Sequence, residues 1–539
     1  MNLEARRLRS VLPALALVGA STWAPVSASA QVADKTRVYV VVVDGLNLEE
    51  VPLMPFLSSL AASGTFYQEA RSVMVAETTP NHVAMVTGAY PDKNGIVAND
   101  FPGVRGSAPD AVIGEGTTAV DAGDSRLLQA DSIFTLVSRQ CPELTTAAVT
   151  SKDYLFNVME HDRDGDGERD ADSNFENSAD PTFIPGAGIT PDERTIAEAL
   201  SVVQDSDPDF LFLNLGAVDR SGHVDVVGGA TTPTGSRPAV RDVQRTNTDT
   251  YLRTFVETLK AQGTWDSTRL LITADHSMDW SLPTGGVTVS DNPELADVID
   301  EFVVAQNGGA ALFSLRDRTR PDAPQLLKRV RDSALATEGV DEVLYRQPNP
   351  ADGGEQHWVG RVHPDWHQTG PRSGDLILTV EDGRRSTEPS STSNPIPGNH
   401  GMPSTLRIPM IVAGGADAGV VTRTVPGDDN PGVRAADQAE NVDLAPTAAW
   451  LLGVQPPAAA FDGRALTEAF SARPAPSCVS AAGAPGTQVP APQDLGTSAP
   501  PAPTPTGQLP ATGALWLVSA AGLVLGALAV GARRRARSG

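Results

Sequence analysis

The chain has 539 residues, 40% of them hydrophobic, and a formal net charge of −25 that grows more negative without its two arginine-bearing ends. That length and apolar content suit a large α/β body with insertions. The acidic balance repels nucleic-acid backbones, so long DNA or RNA is not expected as a partner. Only two cysteines are present, which excludes a CxxC zinc site. An even pair in an exported chain suggests a Cys141–Cys478 disulfide, with two free thiols as the alternative.

In chain order, residues 1–30 read as an address. Arg6, Arg7 and Arg9 precede an apolar run from Val11 to Ala20, and Ala28-Ser29-Ala30 offers a small-residue cleavage site. This is the pattern of a secretory signal peptide. The folded body is expected over residues 34–472. Arg37 to Val43 is an unbroken, β-branched-rich run of the kind buried in parallel sheets, and it ends at Asp44-Gly45. Leu53, Phe56, Leu57 and Leu60 follow at helical spacing and are closed by Gly64.

In Thr78-Thr-Pro-Asn-His82, proline in a first helical turn predicts a helix beginning near Pro80. Thr78 then stands at a helix N-terminus, where N–H groups and the dipole attract anions. A metal there would lower the hydroxyl pKa and create an oxygen nucleophile. Taken alone, Thr78 is better read as an ordinary N-cap. Thr145–Thr150, Asp209–Leu215, Arg269–Thr273 and Arg407–Val412 read as strands, and Val243–Gln262 as a long helix. The alternation gives an α/β class with a mostly parallel sheet flanked by helices. The stretches 282–302 and 348–370 are less regular and are expected as cap or loops. His357, His363 and His367 are expected on such loops.

Between the Thr145–Thr150 and Asp209–Leu215 strands lies an acidic run from Asp162 to Asp172. Asp162, Asp164, Asp166, Gly167 and Asp170 follow EF-hand spacing, with Glu168 and Asp172 adding charge. Position twelve is Ser173 rather than glutamate. The reading is a calcium loop; the alternative is a solvated acidic loop.

Asp44, Asp219 and Asp275 each follow an apolar strand. In open α/β sheets ligands bind outside the carboxyl ends of strands, so these carboxylates should converge on one crevice. His223 lies four residues after Asp219, close enough to share one ion. Asp275 and His276 are adjacent, and either share an ion at a bend or serve a two-metal site from its middle. His400 stands among glycines that let a metal approach. Carboxylates and imidazoles without thiolates fit zinc, with manganese or iron as alternatives.

Residues 473–508 are rich in Pro, Ala, Ser, Thr and Gly, and read as a semi-extended spacer. Leu509-Pro-Ala-Thr512-Gly513 follows, then an apolar stretch over 514–531 just long enough to span a bilayer. A basic tail over 532–539, with Arg533, Arg534, Arg535 and Arg537, would stay on the cytoplasmic side. The order resembles the LPxTG cell-wall sorting signal of Gram-positive bacteria. That resemblance implies a sortase that cuts after Thr512 and links it to peptidoglycan, with membrane contact only through the span before sorting. A plain single-span anchor is the alternative.

The body resembles the alkaline phosphatase superfamily, in its nucleotide pyrophosphatase/phosphodiesterase branch. The resemblance rests on Thr78-Thr-Pro-Asn-His82, Thr87-Gly88-Ala-Tyr-Pro91 and Asn94-Gly95-Ile96-Val-Ala-Asn99, together with the Asp and His residues already named. It implies an alkaline-phosphatase-like fold with cap insertions and two zinc ions. One zinc would be held by Asp219, His223 and His400, the other by Asp44, Thr78, Asp275 and His276. It further implies a small phosphate-ester substrate, a covalent phospho-threonine, and Asn99 hydrogen-bonded to a phosphoryl oxygen.

Three departures bear on specificity. Thr79 stands where nucleotide-hydrolysing members carry a base-stacking aromatic. Ser151-Lys152-Asp153-Tyr154 resembles the Lys-Asp-Arg stretch of a related monoesterase branch and the Lys-Asp-Lys stretch of phosphonoacetate hydrolases. Lys152 is kept as a substrate contact, but Tyr154 replaces the second cation, which favours diesters over the more highly charged monoesters. The nucleophile motif is not that of a sulfatase. The rival readings are a phosphomonoesterase or phosphonate hydrolase on the same site, and a non-catalytic surface binding protein.

Overall fold

The computed structural model describes residues 35–105, 108–113, 127–152, 154–155, 159, 171, 173–176, 189–223, 238–282, 285–289, 292–386, 397–427 and 438–478. The signal-peptide segment, the acidic residues of the calcium loop, the spacer beyond 478, the sorting motif, the apolar span and the basic tail lie outside them. Among the described residues no helix is long and apolar enough to cross a membrane.

The body is organised by an eight-stranded sheet. Its spatial order is Arg423–Val425, Thr65–Arg71, Arg407–Gly414, Thr268–Thr273, Arg37–Val43, Phe210–Leu215, Thr146–Thr150 and Ser173–Glu176. The run from Ser173–Glu176 to Thr268–Thr273 is parallel throughout. Arg37–Val43 sits inside it and is buried along its whole length, as its β-branched sequence requires. Arg407–Gly414 runs opposite to both of its neighbours. It therefore begins at the edge where the parallel strands end, and residues just before it reach that edge.

The strands read from sequence hold to within a residue or two at most ends. The long helix starts earlier than read, at Ala239, and ends at Gln262. Its first turn carries the buried charge Arg241, which an apolar pattern cannot register. The Thr78 helix also starts earlier, spanning Thr78–Thr87 with Glu77 as the N-cap residue. Thr78 is thus its first helical residue.

The cap region departs most from expectation. Phe302–Asn307, Ala310–Leu315, Leu376–Val380 and Val340–Tyr345 form a four-stranded antiparallel sheet in that order. The Ala323–Leu335 helix packs on one face through Leu326, Val330 and Ala334, with Phe313, Val343 and Leu378 beneath it. Alternate residues Ala305, Leu312, Leu344 and Ile377 join the main core on the other face. Cys141 and Cys478 are joined as a disulfide, with Cα atoms 5.2 Å apart, tying residue 478 to the end of the Ile133–Gln140 helix.

Candidate active site

The parallel register places the residues after three neighbouring strands at one edge. Val42 lies beside Asn214 on one side and Thr273 on the other, so Asp44, Gly216 to Asp219, and Asp275 emerge together. Gly45 permits the close approach: its φ is +69°, and a Cβ there would lie 3.0 Å from Cα of Asp219. Its N–H donates to Oδ1 of Asp275 at 3.0 Å. Asp275 sits at a bend, and the His276 N–H also donates to its Oδ1. The bend turns both side chains to one site, leaving Oδ2 of Asp275 3.4 Å from Nε2 of His276. His400 arrives from the segment before the reversed strand.

Two groupings follow. In the first, Nε2 of His223 lies 3.2 Å from Oδ1 of Asp219 and 3.1 Å from Nε2 of His400. Nδ1 of His223 donates to the Gly398 carbonyl at 2.9 Å, which leaves Nε2 as a lone pair. In the second, Nε2 of His276 faces Oδ1 of Asp44 at 3.8 Å and the Thr78 hydroxyl at 3.4 Å. Its Nδ1 donates to the Ser277 carbonyl, again freeing Nε2.

Oδ1 of Asp219 and Oδ2 of Asp275 are buried and have no hydrogen-bond partner among the described residues. Buried carboxylate oxygens are rarely left so, and a cation satisfies them. Asp219, His223 and His400 bring ligand atoms within 4.8 Å of one another, as do Asp44, Asp219 and His276, and Asp44, His82 and Asp275. The donor set fits metal ions.

His82, not expected among the site residues, is placed differently. Asn214 donates through Nδ2 to Oδ2 of Asp44 at 2.9 Å and to Nε2 of His82 at 3.0 Å. Nδ1 of His82 donates to the Thr78 carbonyl at 2.8 Å. Both ring nitrogens thereby have protein partners, and His82 orients its neighbours. Burial pushes its pKa down to about 4. Its position inside the Thr78–His82 segment was a visible signal; Asn214, within an apolar strand, gave none.

Lys152 lies deeper than a simple substrate contact. Its ammonium is 2.7 Å from Oδ1 of Asp44, 2.9 Å from Oδ2 of Asp219 and 3.0 Å from the Thr78 hydroxyl. Burial works against its charge, but Asp219 and Asp44 outweigh burial and hold its pKa well above the ordinary lysine value. Burial likewise pushes Asp44 up to about 6, with Asp275 adding to the effect and Lys152 opposing it. Burial opposes ionisation of Asp219 too, yet Lys152 and His223 hold it well below the usual carboxylate range. Tyr154 is half-buried beside Lys152.

Asn99 is oriented by its surroundings. The Thr79 N–H donates to its Oδ1 at 2.8 Å, and its own N–H donates to Oε2 of the buried Glu77. A backbone N–H can only donate, so the Asn99 carbonyl faces Thr79 and its NH₂ is directed elsewhere. His357 and His363 are engaged with Asp352 and Glu342, and His367 stacks on Tyr90.

A hydroxyl on the first turn of a helix thus faces clustered aspartates and histidines at the carboxyl edge of a parallel sheet, where helix N–H groups and metal ions together could hold an anion. The family model for type I phosphodiesterase / nucleotide pyrophosphatase matches residues 38–403, and the chain belongs to that family. Ectonucleotide pyrophosphatase/phosphodiesterase family member 1 of Homo sapiens is 43% identical over 47 residues, as is that of Rattus norvegicus. These matches cover 9% of this chain and only 5% of the length of those relatives. Among solved structures, murine ectonucleotide pyrophosphatase / phosphodiesterase 5, as an inactive variant in complex with AMP, aligns with TM-score 0.60 at 16% identity. The human protein of that name gives 0.59 at 16%. Each alignment covers 81% of this chain and all of the other, and shows a shared fold.

Proposed function

We propose that this protein is an exported, surface-anchored two-metal hydrolase of small phosphodiesters that uses Thr78 as its nucleophile. The observation that carries the reading is the placement of the Thr78 hydroxyl, 3.0 Å from the Lys152 ammonium and 3.4 Å from Nε2 of His276. Asp219, His223 and His400 would hold one ion, and Asp44, Thr78, Asp275 and His276 the other. The metals, zinc by their donor set with manganese or iron as alternatives, would neutralise charge and lower the hydroxyl pKa.

Thr78 Oγ forms a bond to phosphorus, and the bond to the leaving alcohol oxygen breaks. The proton lost by Thr78 goes to solvent, and the departing oxygen takes one up. Water then attacks the phospho-threonine, releasing a monoester and restoring the hydroxyl. Asn99 donates its NH₂ to a non-bridging oxygen, and the Lys152 ammonium offsets charge beside the nucleophile.

A diester is favoured because Tyr154 stands where a monoesterase carries a second cation. Thr79 offers no aromatic face for a base, so nucleotides are one substrate class beside lipid head-group and wall diesters. The second reading, a phosphomonoesterase or phosphonate hydrolase, rests on the buried charge of Lys152. The test is kcat/KM for bis(4-nitrophenyl) phosphate against 4-nitrophenyl phosphate. The diester is expected to be faster; a faster monoester would promote the second reading. The signal peptide, spacer and Leu509–Gly513 motif support anchoring to peptidoglycan by a sortase through Thr512. Calcium on the Asp162–Asp172 loop would be structural.

A further inference from the structure

Arg241 is wholly buried on the first turn of the Ala239–Gln262 helix, and its guanidinium is spent on the backbone of the site. Nη2 donates to the Gly45 carbonyl at 2.7 Å, and Nη1 donates to the Val218 carbonyl at 2.9 Å. Gly45 follows Asp44, and Val218 precedes Asp219. Glu50, also buried, neutralises the charge through a two-point contact, at 3.0 Å to Nε and 2.5 Å to Nη2.

Asn47 extends the contact to a third segment. Its Oδ1 accepts from Nη2 of Arg241 at 3.2 Å and from the Met278 N–H at 2.8 Å. Its Nδ2 donates to the Met278 carbonyl at 2.9 Å. Met278 lies two residues beyond His276. One cation thus pins the three chain segments that carry Asp44, Asp219 and the Asp275-His276 pair.

A buried ion pair is weak support for stability, because apolar residues of similar volume often replace it without loss. A planar fork that reaches two carbonyls and a carboxylate at once is something no apolar residue or lysine can copy. The geometry points to Arg241, its charge balanced by Glu50, as a positioning residue that fixes the separation of the two metal half-sites. It touches no reacting atom and acts through the backbone next to Asp44 and Asp219. The inference rests on the two-metal reading of the site.

The test uses the mature, metal-loaded protein and three variants. Arg241→Met alone would strip the buried Glu50 of its two-point partner, so the pair is removed together as Arg241→Met/Glu50→Met. Arg241→Lys keeps the charge without the fork. Arg245→Met is the control, since Arg245 lies 3.6 Å from Glu50 and no hydrogen bond joins it to either carbonyl among the described residues. Zinc affinity is read by competition with a chromogenic chelator, alongside the unfolding temperature of the metal-free protein.

The double variant and Arg241→Lys should bind zinc about 10–100-fold more weakly, the loss typical when a group supporting the ligands is removed. The unfolding temperature of at least one of the two should stay near wild type, and kcat should fall more than KM changes. Arg245→Met should bind as wild type does. A folded double variant or Arg241→Lys with wild-type zinc affinity would overturn the positioning role while leaving the two-metal reading intact. Wild-type protein that binds neither zinc, manganese nor iron would overturn both.

Discussion

A threonine hydroxyl is a weak nucleophile, and what distinguishes Thr78 is where it stands. It opens a helix, faces Nε2 of His276, and receives a hydrogen bond from a lysine that two carboxylates keep charged. Thr78→Ala should lower turnover by on the order of 10³-fold or more, as loss of a covalent nucleophile does, while the remaining ligands still bind metal. Thr79→Ala should be mild, because Asn99 is held by the Thr79 N–H and not by its side chain. Steady-state turnover of both variants checks this, and near-normal turnover in folded Thr78→Ala would contradict the covalent route. Thr78, Asn99 and the aspartates and histidines were legible because each follows a strand or lies in a compact motif. Asn214 and Arg241 were not, since their roles exist only through partners distant in sequence.

At the scale of elements, His82 joins the first turn of the Thr78–Thr87 helix to the Phe210–Leu215 strand by way of Asn214. Its pKa is about 4 in the folded protein and about 6.5 when unfolded. Between those values the unfolded chain binds more protons, so stability is full above the unfolded pKa and falls as pH drops toward the folded one. The loss approaches roughly 3 kcal/mol. Asp44 and Asp192, each pushed up to about 6 by burial, act with the opposite sign over part of that range. The comparison is therefore with His82→Gln in metal-free protein. The unfolding temperature of wild type should fall relative to the variant as pH goes from about 6.5 to about 4.5; a constant difference would contradict the linkage.

Elements were legible where sequence and burial agree. Arg37–Val43 is uniformly apolar apart from Arg37 and uniformly buried, so its strand was plain. The antiparallel sheet of the cap was missed because Val340–Tyr345 and Phe302–Asn307 are short and interrupted by polar residues. Both of that sheet's faces are covered, one by its own helix and one by the main core, and no alternation in the sequence announces that.

For the whole molecule, one edge of one sheet collects residues from position 44 to position 400. The reversal of Arg407–Gly414 is what brings His400 there. The proposed anchoring is tested at the same scale. Thr512→Ala should leave the protein detergent-extractable from membranes. Wild type should resist detergent and be released by a wall-degrading enzyme; full extraction of wild type by detergent would reject wall linkage.

The central claim is that Asp44, Thr78, Asp219, His223, Asp275, His276 and His400 hold two metal ions for phosphodiester hydrolysis. Elemental analysis of the purified mature protein, paired with diester hydrolysis before and after chelation, tests it most directly. The account predicts about two equivalents of a transition metal per chain, as two-metal hydrolases carry, with activity lost on chelation and restored by zinc. Metal-free protein that hydrolyses the diester at an undiminished rate would contradict it.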